Sequence, residues 1–186
     1  LPQFYFRSGI IDPWFNLFIF LGIHQLIRAT ENEILNRKHL GISAFLIGFA
    51  VMTKGPTAFG LVGISVAVYF ITSFKKHHWK VLDGMMYSGI VIAVGFSWFL
   101  LEIARGHGYV IQEAIDYHIR LFSQSEAGHG QPFFYHPLVL LLGCFPMSLF
   151  LIFSWTQKTE APTKISHYKK WMTILFWVVL ILFSIV

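Results

Sequence analysis

Ionisable side chains occur at only a few places in a largely apolar chain, and they define the chemistry that the chain could support. Asp12 carries a carboxylate that could accept a proton from a hydroxyl group. Lys54 and Arg120 carry cations that could hold a lipid phosphate. The segment "HIRLFSQSEAGHGQPFFYH" adds side chains that could contact a metal ion or a substrate, namely His118, Glu126, His129 and Gln131. These groups together would suit a reaction on a lipid phosphate.

Each of these residues also has an ordinary structural explanation. Asp12 followed by proline fits the N-cap and the first position of a helix. Lys54 could extend from an apolar segment to a membrane surface, and Arg120 stands at i,i+4 spacing from Asp116, as in a helical ion pair. His118 and His129 are eleven residues apart, which matches no specific metal-binding pattern. A divalent zinc or magnesium ion is therefore an open alternative.

The composition indicates the surroundings in which this chemistry would take place. Of the 186 residues, 55% are hydrophobic and only 12% are charged, whereas soluble domains contain about 25% charged residues. The net charge of +5 lies in short tracts between apolar runs, which favours membrane topology over a nucleic-acid partner. The single cysteine, Cys144, lies in an apolar run and allows no disulfide framework. We therefore expect an all-α protein embedded in lipid.

Apolar segments of the length that crosses a bilayer recur along the chain. A transmembrane helix needs roughly 20 mainly apolar residues, and a shorter segment can pair with its neighbour as a tight hairpin. Such a hairpin is expected around Lys54-Gly55-Pro56, where a glycine cap precedes a proline. About six segments are predicted: Pro13–Ile27, Leu40–Thr53, Thr57–Phe74, Gly84–Leu101, Tyr135–Trp155 and Trp171–Val186.

The distribution of lysine and arginine predicts the orientation of these segments. If all six cross, ten of these residues fall on one side and four on the other, and the richer side is expected to be cytoplasmic. Asp12, Lys54 and the long connection 102–134 then face outward. Within that connection, "YVIQEAIDYHIRLF" has apolar residues at helical spacing, which predicts an amphipathic helix in the membrane interface.

Three stretches resemble successive motifs of a known family. They are "RSGIIDPWFNLFIF", "GFAVMTKGPTAFGLV" and "HIRLFSQSEAGHGQPFFYHPLVLLLGCFPMSLF". In order and approximate spacing they resemble, over about residues 5–155, the bacterial branch of the protein mannosyltransferase superfamily, which includes the lipid A aminoarabinose transferases.

The resemblance implies a multi-pass glycosyltransferase of the C-type fold in the bacterial inner membrane, with its active face outward. Such an enzyme moves a sugar from a polyprenyl-phosphate carrier to lipid A, another lipid, a protein or a glycan. By position in the motifs, Asp12 matches a catalytic-site aspartate and Lys54 the lysine associated with the carrier phosphate. The resemblance also matches His118, Arg120 and His129 to polar residues of the loop that covers the cavity, and it leaves open which of them binds a metal ion or the phosphate. By its charge, Arg120 is expected with Lys54 at the carrier phosphate. Glu126 and Gln131 are further candidates, with the two histidines, for contact with a metal ion or the substrate.

The first residue is Leu1 and the last lies in an apolar run, so we expect residues 1–186 to be part of one transmembrane glycosyltransferase domain. The resemblance then places the general base of the family upstream of residue 1, and the missing parts of the full-length chain become required partners. A transporter or lipid flippase is the competing class, with the broken hairpin at Lys54 as part of its substrate site. A purely structural membrane subunit is a third, although it would not need the long polar outer loop.

Overall fold

The computed structural model describes residues 11–32, 34–72, 79–123, 135–156 and 163–185. Every regular element within these ranges is helical. The chain divides into two compact units between Ile111 and Gln112. The first unit contains α1 (Asp12–Ala29), α2 (Arg37–Lys54), α3 (Pro56–Thr72), α4 (Val81–Gly95) and α5 (Ser97–Ala104). The boundary falls within α6 (Tyr109–Ser123), and the second unit continues with α7 (Tyr135–Gly143), α8 (Met147–Thr156) and α9 (Thr163–Ile185).

Helix α2 is the central element of the first unit, because it packs against α1, α3 and α4. Its N-terminus is capped by Asn36, whose side-chain oxygen accepts from the backbone N–H groups of residues 38 and 39. Midway along α2, the buried Ser43 hydroxyl donates to the carbonyl oxygen of Gly22 on α1 at 2.7 Å. The hydroxyl oxygen of Ser43 also lies 3.3 Å from the hydroxyl oxygen of Tyr87 on α4. One buried polar side chain thus connects three helices.

Helices α2 and α4 approach each other closely at two glycines. A Cβ atom added at Gly48 would lie 2.6 Å from Cβ of Val94. One added at Gly95 would lie 2.6 Å from Cγ1 of Val51. Small residues allow such close backbone approach, which favours van der Waals packing between helices in a lipid environment. The contact therefore depends on glycine on both helices.

An ion pair joins α2 and α4 near their N-termini. Arg37 donates from Nε to a carboxylate oxygen of Asp83 at 2.9 Å. The Asp83 side chain is only 5% exposed, whereas that of Arg37 is 59% exposed. The second carboxylate oxygen of Asp83 accepts the backbone N–H of Lys80 at 3.2 Å. The buried carboxylate therefore depends on two donors, one of which comes from another helix.

We expect Arg37→Met to lower the free energy of unfolding by about 1–3 kcal/mol, because it removes the strongest partner of a buried acceptor. Loss of one partner of a fully buried pair costs about 3–5 kcal/mol, and the exposure of Arg37 places this case below that range. Thermal unfolding in detergent measures the effect. Arg28→Met, at an exposed arginine of α1, is the control and should change little. Adding Asp83→Asn should restore most of the loss, and no restoration would contradict this account.

Two of the predicted segments are broken into helix pairs. Helices α4 and α5 meet at Phe96 with a bend of 48°. Gly95 and Ser97 stand on either side of Phe96, and glycine and serine in pairs are a common cause of kinks. Helices α7 and α8 are separated at residues 144–146, where Pro146 lacks the N–H that a continuous helix needs. Ser148 spans this second break by donating its hydroxyl to the carbonyl oxygen of Leu141 at 2.7 Å.

Apart from the breaks at Phe96 and at residues 144–146, the six predicted apolar segments are helical in the described residues, which confirms the all-α class. By length and composition, α9 contains one stretch that could cross a membrane, Ile165–Leu182, and the bent pair α4–α5 would provide a second if it is one span. The count of six crossings stays a prediction. In the second unit, α9 packs against α7 and buries Trp171, Ile174 and Val178, while large apolar side chains remain exposed along α7 and α8.

Candidate functional site

Asp12 and Lys54 form an ion pair between Oδ1 of the carboxylate and Nζ of the ammonium. The residues are 42 positions apart in sequence, and both had been selected from their type and surroundings. The Asp12 side chain is 52% exposed and that of Lys54 is 38% exposed. The pair therefore lies at the surface of the first unit, where an incoming ligand could reach both groups.

The helix termini explain why these two side chains meet. Asp12 is the first residue of α1 and Lys54 is the last residue of α2, and α1 packs against α2. A carboxylate is favourable at a helix N-terminus and an ammonium at a helix C-terminus, because each charge opposes the nearby end of the helix dipole. The helix ends therefore stabilise both charges before the two side chains interact.

The prediction that Asp12 is the N-cap of its helix is wrong by one position. Ile11 is the N-cap, without a side-chain capping hydrogen bond, and Pro13 follows within the first turn. Asp12 thus lies inside the helix, where its carboxylate pairs with Lys54. Helix boundaries inferred from sequence commonly differ by a residue or two.

The backbone after Lys54 is held in a conformation that glycine supports best. Gly55 has φ 68° and ψ −149°, and its N–H donates to the carbonyl oxygen of Val51 at 2.7 Å. Gly55 is the C-cap of α2 with a positive φ, as predicted. Its ψ angle differs from that of the left-handed helical conformation. Since Gly55 alone separates α2 from α3, which contact each other, the position of Lys54 is fixed by both helices.

Phe15 completes the surroundings of Lys54, and sequence reasoning did not select it. Its buried ring lies with the centroid 5.4 Å from Nζ of Lys54, within the range of a cation–π contact. Phe15 follows Asp12 by three residues, so the two lie on the same face of α1. That spacing is the signal that could have identified it, but aromatic residues at helical spacing are common in membrane helices.

Arg120 lies on α6, which confirms that the predicted amphipathic segment is a helix. Its Nε donates to the backbone carbonyl oxygen of Asp116 at 3.4 Å. The prediction of an ion pair between Asp116 and Arg120 is wrong. Arg120 contacts the backbone oxygen of Asp116, and none of the ion pairs between described side chains joins these two residues. Arg120 belongs to the second unit, and its predicted role at the carrier phosphate stays a prediction.

A polar turn between α5 and α6 was not selected as a site from the sequence. The Glu102 carboxylate accepts from Nδ1–H of His107 at 2.8 Å and from Arg105 at 3.5 Å. The turn also contains Gly106 with φ 83°, another positive value that favours glycine. These contacts fix the path of the chain into α6, and the "ARGHG" sequence was the available signal.

The remaining candidate residues are only partly described. His118 lies within α6, but its side chain is outside the described part of the structure, and Glu126, His129 and Gln131 lie outside it altogether. In the described ranges, no three His, Cys, Asp or Glu side chains form a group that could hold a metal ion. A divalent ion stays an open alternative, since the side chains of His118, Glu126 and His129 are not in those ranges.

Comparison with known proteins shows to which sequences this chain is similar. The undecaprenyl phosphate-alpha-4-amino-4-deoxy-L-arabinose arabinosyl transferase of Pectobacterium carotovorum is 29% identical over 189 residues, which covers 95% of this chain and 32% of that protein. The protein of the same name from Wigglesworthia glossinidia brevipalpis is 28% identical, with 92% of this chain and 30% of the relative covered. That of Pectobacterium atrosepticum is 27% identical, with 84% and 29% covered.

The chain is homologous to these arabinosyl transferases. It spans about a third of the length of the arabinosyl transferases that it matches. A match over 95% of the chain includes the helices that carry Asp12 and Lys54. No protein-family model matches the chain. No solved structure matches it.

Proposed function

We propose that the protein is an integral membrane glycosyltransferase that transfers an amino sugar from an undecaprenyl-phosphate carrier to a hydroxyl group of a membrane lipid. The observation that carries this proposal is the Asp12–Lys54 pair, which places a carboxylate and an ammonium together in a chain homologous to arabinosyl transferases. The names of those relatives state the donor, undecaprenyl phosphate-alpha-4-amino-4-deoxy-L-arabinose. The lipid acceptor is our own inference from the apolar surroundings.

In the proposed reaction, the oxygen of an acceptor hydroxyl attacks the anomeric carbon of the sugar. The bond from that carbon to the carrier phosphate breaks, and undecaprenyl phosphate leaves with the electron pair. A carboxylate takes the proton of the hydroxyl. We place Asp12 in this site as a catalytic carboxylate, alongside the general base that the family resemblance assigns to another part of the enzyme.

Lys54 has the complementary role in this proposal. Negative charge grows on the carrier phosphate as the sugar leaves, and a positioned cation contributes most where charge develops. The ammonium is held by the last turn of α2, the Gly55 backbone and the Phe15 ring.

A transfer assay tests this function. Membranes containing the full-length protein, with the parts of the chain beyond residues 1–186, are incubated with undecaprenyl phosphate-linked aminoarabinose that is radiolabelled in the sugar. The lipids are then extracted and separated. We expect label in a lipid other than the donor. Label in protein or in a glycan would replace the proposed acceptor. Movement of the intact donor across the membrane without transfer would favour a flippase and contradict the proposal.

We further propose that Asp12 and Lys54 face outward. Single-cysteine variants test this in a Cys144→Ala background: Asp12→Cys and Lys54→Cys should react with a membrane-impermeant maleimide in intact cells. Lys38→Cys, at the other end of α2, should react only after permeabilisation. Labelling of Lys38→Cys in intact cells, with the other two protected, would reverse the orientation. Labelling of positions 12 and 54 from opposite sides would contradict the ion pair itself.

A further inference from the structure

The ion pair occupies the group that the proposed function assigns to the carrier phosphate. Lys54 cannot give its full charge to a phosphate while Asp12 neutralises it. An ammonium has three N–H donors, so a phosphate can approach while the carboxylate is still bound. The two anions would nevertheless compete, because they draw on the same positive charge.

The pair is arranged so that it can open at low cost. Both side chains are substantially exposed, 52% for Asp12 and 38% for Lys54, and exposed pairs are weak because water screens them. Each charge also keeps its favourable interaction with its own helix end after separation, since Asp12 stays in the first turn of α1 and Lys54 in the last turn of α2. The Phe15 ring remains beside the ammonium as well.

The carrier phosphate becomes the stronger competitor for the ammonium as the sugar leaves. The sugar-linked donor is a phosphodiester with one negative charge, like a carboxylate. The undecaprenyl phosphate that leaves is a monoester with about −1.5 to −2 charges near pH 7 and three acceptor oxygens. The flexible four-carbon stem of lysine lets Nζ turn from one anion to the other without movement of the helix. The exchange therefore requires only side-chain rotation at a fixed helix end.

We infer that Asp12 is a displaceable partner of Lys54, which the phosphate of undecaprenyl phosphate replaces, so that the growth of charge on the leaving phosphate frees the Asp12 carboxylate. This inference rests on the proposed function and adds an order of events to it. Before the reaction, the Asp12 and Lys54 charges neutralise each other in contact with water. As the sugar leaves, Lys54 turns to the phosphate and Asp12 becomes available at the reacting groups.

Equilibrium binding of radiolabelled undecaprenyl phosphate tests the exchange, with the purified protein in nanodiscs of neutral phosphatidylcholine. Asp12→Asn removes the competing charge, so it should tighten binding by about two- to fivefold, the range expected for a weak exposed pair, while turnover falls. Asp12→Glu keeps the charge and should not tighten binding. Glu113→Gln, at an exposed carboxylate of α6, controls for the change in total charge and should leave the Kd unchanged.

The outcomes separate this inference from the function on which it rests. Weaker binding in Lys54→Ala together with tighter binding in Asp12→Asn supports the exchange. Weaker binding in Lys54→Ala with equal or weaker binding in Asp12→Asn overturns the exchange alone, because Asp12 would then orient Lys54. Unchanged binding in Lys54→Ala overturns both. Tightening in Asp12→Asn that is equally large for phosphatidic acid overturns the assignment of the exchange to the carrier.

Discussion

Replacing Lys54 with alanine is expected to lower turnover by about 10²–10³-fold, or about 2.7–4 kcal/mol of barrier, by analogy with the loss of one donor from an oxyanion hole. The physical reason is that the ammonium meets the phosphate on which charge develops as the sugar leaves. Initial rates of sugar transfer at saturating donor measure the effect. Because the Asp12–Lys54 pair is exposed, its loss should change the free energy of unfolding by no more than about 1 kcal/mol.

Two further variants make this result specific. Lys38→Ala removes an exposed lysine from the opposite end of the same helix, and it should leave turnover close to that of the unmodified protein. Lys54→Arg keeps the positive charge but replaces the compact ammonium with a planar guanidinium group, so partial activity is expected. Full turnover in Lys54→Ala would remove Lys54 from the mechanism, and equal losses at positions 38 and 54 would show a general charge effect.

The substitution Gly48→Ala is expected to destabilise the first unit by about 1–3 kcal/mol, the usual cost of forcing extra atoms into a packed contact. The new Cβ would lie 2.6 Å from Cβ of Val94, an atom fixed to the backbone of α4 that cannot rotate away. Helices α2 and α4 would have to separate. The midpoint of thermal unfolding in detergent should fall, and proteolysis of the folded protein should become faster.

Gly41 provides a matched control on the same helix, seven residues earlier. A Cβ atom added there meets nothing within 4 Å, so Gly41→Ala should be neutral or slightly stabilising, since alanine favours helix more than glycine does. Both variants make the same chemical change in α2. Equal stability of the two would show that the close approach of α2 and α4 does not contribute to folding.

The sequence allowed the helical character of the chain to be predicted because lipid-compatible segments differ so strongly from polar connections in composition. It did not allow the breaks at Phe96 and at residues 144–146 to be located, since a long apolar run looks continuous whether or not the helix is. Pro146 lies within one of these runs, yet its effect on the helix depends on local geometry. The crossing count likewise depends on the membrane and not on helicity alone.

The candidate site was predictable in part for a similar reason. Charged residues in an apolar chain are few, so Asp12 and Lys54 could be selected by type, but their contact results from the packing of α1 against α2. Phe15 was missed because one aromatic among many carries no distinguishing pattern. Asp83 was missed because its burial results from the packing of α4 against α2 and from its contact with Arg37, and nothing in its neighbouring residues indicates this.

Helix α2 is held by a charged contact at each end, to α4 through Arg37 and to α1 through Lys54. These two residues are separated by about 26 Å along the helix, because the seventeen steps from Arg37 to Lys54 rise about 1.5 Å each. If α2 slid along its own axis as a rigid rod, both contacts would have to stretch together, so each of them resists such a shift. When the Lys54 side chain turns away from Asp12, the contact of Arg37 with Asp83 still holds the other end of the helix in place.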